Sequence, residues 1–111
     1  MVLTIDQRVR AGIAFLDARG PRHWRKKIAA AIKAKRFDLG DARHCPLGEV
    51  YGTYVHGLRV LGLTTDDDAE AYGFERDWWG THHELTEAWI RLYRDGARAN
   101  RSAKTKGQND H

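Results

Sequence analysis

Cysteine occurs once in this 111-residue chain, as Cys45, so no disulfide can form within it and a reducing compartment is expected. No apolar run approaches the ~18–20 residues of a membrane span, and no apolar segment follows the charged start Met1–Arg10 as a secretory signal would require. A cytoplasmic protein with no membrane partner is the expectation. No alternating apolar pattern supports a sheet, and no internal repeat is present. Proline occurs twice, and both Pro21 and Pro46 stand where a helix can open. What remains is a single-domain length, sufficient to bury roughly 65% of the surface of the unfolded chain without staples.

The net charge of +4 conceals a segmentation by sign. Residues 1–40 carry ten Lys and Arg against three Asp and Glu, a balance of +7. Residues 41–90 carry three against ten, a balance of −7, and residues 91–111 carry six against two, a balance of +4. Such a molecule can meet an anionic partner with one lobe while its acidic middle restricts how that partner docks.

Apolar periodicity predicts an all-α bundle of about five helices over residues 1–96, followed by a disordered basic tail at 97–111. Thr4 and Gln7 have capping-box spacing, and Ile5, Val9, Ile13 and Leu16 then run down one face of a helix over about 5–19 that Gly20 and Pro21 end. A second helix, about 22–35, has Trp24, Ile28, Ala31 and Ile32 inward and Arg22, Arg25, Lys26, Lys33 and Arg36 largely off that stripe. Phe37 and Leu39 are expected to tuck inward from a loop. A third helix opens at Pro46 and carries Leu47, Val50, Tyr51, Tyr54, Leu58 and Leu61 on one face until Gly62 and Leu63 stop it. Its Gly48 and Gly52, four residues apart, are expected to admit close approach of a neighbouring backbone or ring. Thr65 caps a short fourth helix ended by Gly73, and Asp66, Asp67 and Asp68 offset the positive end of its dipole. Thr81 and Glu84 open a fifth, about 82–95, with Leu85, Ala88, Trp89, Leu92 and Tyr93 inward.

The reactive side chains do not assemble into a site. His23, His44, His56, His82, His83 and His111 with Cys45 lack the paired spacing of a zinc set, and no metal or cofactor is expected. His82, in a first helical turn, reads as solvated. Cys45 before a proline-opened helix has the place of an activated thiolate, with His44 beside it, yet a cysteine there is more often a small buried residue. The three aspartates lack the alternate ligands and closing glutamate of a calcium loop. No catalytic residue is assigned, and the protein is not expected to be an enzyme.

Two features can carry binding instead. Trp78 and Trp79, adjacent in sequence, are candidate anchors for a partner protein or stacking platforms for a base. Arg22, Arg25, Lys26, Lys33 and Arg36, with the basic tail, are the candidate contacts to phosphate.

Leu16-Asp17, Trp24, Ile28, Asp38-Leu39, Cys45-Pro46-Leu47-Gly48, Tyr51-Gly52, Tyr54, Gly57-Leu58, Leu61-Gly62-Leu63 and Tyr72-Gly73-Phe74 together resemble a group of small uncharacterised proteins of actinobacteria and their phages. The resemblance covers about residues 12–92 and rests on packing and turn residues. It implies a bacterial or phage accessory protein that binds a host protein or DNA, and it transfers no catalytic residue. The expectation from sequence is therefore a non-enzymatic module that binds and modulates a host protein through Trp78 and Trp79, with nucleic-acid binding through the second helix and the tail as the alternative.

Overall fold

A computed structural model of the chain describes residues 3–74 and 82–109, and among them the secondary structure is entirely helical. Six helices follow in order: α1 Ile5–Arg19, α2 Trp24–Lys33, α3 Pro46–Tyr51, α4 Tyr54–Leu61, α5 Asp66–Ala71 and α6 His82–Asn109. The all-α class and the bounds of the first helix agree with the periodicity. Thr4 closes a complete capping box, its hydroxyl accepting from the Gln7 amide while the Gln7 side chain accepts from the Thr4 amide.

The core is one cluster. Val9 and Leu16 of α1, Ile28 and Ala31 of α2, Leu47 and Val50 of α3, Leu61 of α4 and Leu85, Trp89 and Leu92 of α6 are all buried in it. Phe37 and Leu39 reach it from the loop, as their position between turn residues suggests. Trp89 stacks on Phe74 with centroids 5.9 Å apart, and its indole donates to the Gly73 carbonyl at 2.7 Å, so the largest buried side chain also satisfies its one polar group. Gly12 of α1 lies directly beneath the Tyr72 carbonyl and the Trp89 ring. A Cβ there would collide with that carbonyl and press on the ring, so this glycine is what lets the turn after α5 approach α1 closely.

Three helices end in the same way. At Gly62 the amide donates to Arg59 and the Leu63 amide to Leu58, the paired bonds of a Schellman motif, and Gly73 with Phe74 repeats them onto Glu70 and Ala69. Lys35 with Arg36 forms the third, onto Ile32 and Ala31, although Lys35 must take φ 60° without being glycine.

The long third helix expected over 46–61 is two helices. Gly52 has φ 99° and breaks the rod, and Thr53 starts the next, its hydroxyl accepting from the His56 amide. The apolar spacing stays in phase across the break, which is why periodicity reads it as continuous. The assignment of Gly52 to close approach is corrected by the same geometry. Nothing lies within 4 Å of where its Cβ would be, so its glycine is required by conformation alone. Gly48 is the close-approach position: a Cβ there would collide with the Ala42 carbonyl and would lie 2.5 Å from the Arg43 carbonyl carbon. The Ala42 oxygen so placed accepts the Tyr54 amide at 2.9 Å, tying the loop to the start of α4.

α6 continues through Gly96 to Asn109, further than the residue 95 at which the apolar stripe stops. Ala97, Arg98, Ala99, Arg101, Ala103 and Lys104 are strong helix formers, and they extend the helix past a glycine that costs it ~1 kcal/mol.

Candidate functional site

The five cations expected to face a polyanion fall into two groups. Arg25 is bound fork to fork by Asp17, with Nε donating to Oδ1 at 3.1 Å and Nη2 to Oδ2 at 2.8 Å. The Trp24 indole donates to the same carboxylate at 3.1 Å, and the Arg25 guanidinium lies 4.7 Å from the Trp24 ring centroid. Arg36 is bound in the same way by Glu49, through two bonds of 3.0 Å. His44 adds a 2.8 Å contact from Nδ1 to Glu49 Oε2. The Glu49 side chain is only 7% exposed. Burial pushes its carboxyl up, but the hydrogen bonds and charges of Arg36 and His44 outweigh this and leave it below the usual carboxylate range. The hydrogen bonds to Glu49 likewise hold Arg36 in its charged form. These two arginines fasten α2 to α1 and α3 and are not available to a ligand.

Arg22, Lys26 and Lys33 form the other group: they are exposed and have no partner among the described residues. Lys26, Ala29 and Lys33 stand at i, i+3 and i+7 of α2, one stripe of the helix, with Arg22 a turn earlier. The stripe keeps its charge because the sequence places no Asp or Glu between Pro21 and Phe37. Lys27 lies off the stripe and donates to the Val50 carbonyl at 3.1 Å.

The stripe borders α6 across a groove of about 260 Å³ lined by Ala29, Ile32, Lys33, Tyr93 and Arg94. Tyr93 fixes the spacing of the two helices, its hydroxyl donating to the Arg25 carbonyl at 3.0 Å and its ring meeting Trp24 edge-on at 6.5 Å. Arg94 is a further exposed cation that reading the helices one at a time does not associate with α2. Only the packing of α2 on α6 brings it opposite Lys33, and no sequence signal announces that pairing.

Trp78 and Trp79 lie outside the described residues. Cys45 is 2% exposed, and its sulfur accepts the Gly48 amide at 3.3 Å as the N-cap of α3. His82 is half-buried rather than solvated: its ring packs against Gly40, and Nδ1 is enclosed without a hydrogen-bond partner. No group of three His, Cys, Asp or Glu among the described residues is arranged to hold a metal ion, and no described helix is long and apolar enough to cross a membrane. Comparison with known proteins finds no matching family model, no similar curated protein and no similar solved structure.

Proposed function

We propose that the protein is a non-catalytic accessory module that binds nucleic acid through the outer face of α2. The observation that carries this reading is the acid-free set of Arg22, just before α2, with Lys26 and Lys33 on it, three exposed cations without a partner among the described residues of a fold that pairs Arg25, Arg36 and Arg91 with carboxylates. Unpaired cations on one helix face raise the local potential, attract a polyanion and release its condensed counterions on contact. Ala29 and Ala30, both exposed, leave the surface between the cations low enough for a phosphate backbone to approach. The acidic α5 packs against α1 and Glu70 is bound by Arg8, so part of the acidic middle is neutralised within the fold.

The experiment is a binding titration of the full chain against a labelled DNA duplex at rising salt. Affinity that falls steeply with salt and disappears in the Lys26→Glu/Lys33→Glu double variant, with the thermal midpoint unchanged, supports the proposal. Arg25 is unsuited to this test because reversing it breaks the Asp17 pair. The host-protein reading built on Trp78 and Trp79 supplies the opposing outcome: no duplex binding even at 50 mM salt, together with partner capture that Trp78→Ala or Trp79→Ala removes, rejects nucleic acid as the target.

A further inference from the structure

We infer that the nucleic acid is a duplex, held by its phosphates without regard to sequence, along a track that leaves α2 at Lys33 and crosses to Arg94 of α6. The inference rests on the nucleic-acid reading above and deepens it.

Length comes first. Lys26 to Lys33 spans seven residues, about 10 Å of helix, which matches about three phosphates of one strand at 3.4 Å of duplex axis per charge, and Arg22 stands in the turn before α2. The geometry at the end of the stripe then decides the direction. Lys33 and Arg94, from two different helices, both line the groove of about 260 Å³. A phosphate between them meets one strongly hydrated ammonium and one planar guanidinium capable of a bidentate contact.

The chemistry of the track separates duplex from single strand. Binding of single strands combines a cationic groove with aromatic faces on which bases stack. The rings beside this groove are already engaged: Trp24 is buried, and Tyr93 is held by its bond to the Arg25 carbonyl and by the edge of Trp24. The remaining lining is Ala29, Ile32 and the two cations, with no Asn or Gln to pair an adenine edge and no carboxylate to accept from cytosine, and the cations are spent on phosphate in this reading. Contacts confined to phosphate position the protein without specifying sequence.

The test is fluorescence anisotropy of the full chain with two 20-base-pair duplexes of unrelated sequence, one matching single strand and a poly-glutamate peptide as a non-nucleic polyanion. We expect the two duplexes to bind within twofold of one another, with log affinity falling against log salt at a slope of about −3 to −4 for four phosphate contacts. Arg94→Gln should reduce that slope by about one and weaken low-salt binding several-fold at an unchanged thermal midpoint, while Arg59→Gln on α4 should change neither. Duplex binding that Lys26→Glu/Lys33→Glu removes but Arg94→Gln leaves intact overturns the crossing to α6 while sparing the nucleic-acid reading. A preference for the single strand, lost in Trp78→Ala or Trp79→Ala, overturns the duplex assignment. Poly-glutamate binding as tight as duplex overturns recognition of phosphate. No binding to any nucleic acid at 50 mM salt rejects the underlying reading itself.

Discussion

α2 packs against α3, yet the outer face of α2 and the corner between α3 and α4 treat polar groups oppositely. At the corner, Glu49 takes both arms of Arg36 and the ring of His44, Cys45 and Thr53 cap the two helices, and the Ala42 carbonyl is shared with Tyr54. On the α2 face, Lys26 and Lys33 stand in solvent without a partner among the described residues. At the corner the chain breaks at Gly52, and donors and acceptors taken from water there need replacements, the buried Tyr51 hydroxyl being the exception without one. The α2 face has no such demand, so its charges are available for a partner. Cationic residue type alone does not distinguish the two, since Arg36 and Lys33 are three positions apart on one segment.

The corner should therefore be fragile and the α2 face tolerant, and substitutions can break that contrast. Gly48→Ala is expected to have the largest effect, a loss of about 3 kcal/mol, because its Cβ meets backbone and not a side chain that could swing aside. A thermal midpoint lowered by less than a few degrees would show that the Ala42–Arg43 loop gives way, and the corner is softer than its contacts imply.

Glu49→Gln comes next, at about 1–2 kcal/mol at neutral pH, since it leaves Arg36 and His44 facing a neutral amide. Its signature is in pH. The Glu49 carboxyl is held below the ordinary range in the folded state, so its contribution is present above the unfolded glutamate value of about 4.3 and is lost as pH falls through the folded value. Melting curves should show the gap between wild type and Glu49→Gln closing as the solution is acidified. A gap that widens toward low pH would reverse the sign and refute the pairing as a source of stability.

Gly52 offers a sharper comparison with Gly48, because the two differ in cause. Gly52→Ala should cost about 1 kcal/mol through its φ of 99°, and Gly52→Leu should cost about the same, since there is open space around the position. A leucine variant much less stable than the alanine variant would restore crowding as the reason for this glycine.

The smallest effect belongs to the α2 face. Lys26→Gln and Lys33→Gln should each leave stability within about 0.5 kcal/mol of wild type. A larger loss in denaturant titration would mean that these lysines serve the fold, and the contrast with the corner would disappear.

How much of this was legible in the sequence follows from the range of each interaction. Local chemistry was readable: the capping box at Thr4, the caps at Thr65 and Gly62, and the Schellman ends at Gly62 and Gly73 all depend on residues within one turn of each other. The inward placement of Leu16, Ile28, Leu47 and Trp89 followed from a period of 3.6. Lys35 escaped notice because its helix end uses a left-handed lysine where glycine is the usual signal. The break at Gly52 escaped because periodicity counts residues and is blind to a change of direction that preserves the count.

The candidate site divides along the same line. Composition alone placed the basic face on the second helix and kept acidic residues out of it. Tertiary structure decided which of those cations are spent: Asp17 is eight residues from Arg25 and Glu49 thirteen from Arg36, separations across which a sequence does not say who meets whom. It also brought Arg94, sixty-one positions after Lys33, to the far side of one groove. Helix caps and stripes are settled by neighbours along the chain, whose distances the backbone geometry itself sets. Ion pairing and groove formation are settled by how helices pack, and that depends on the whole core at once.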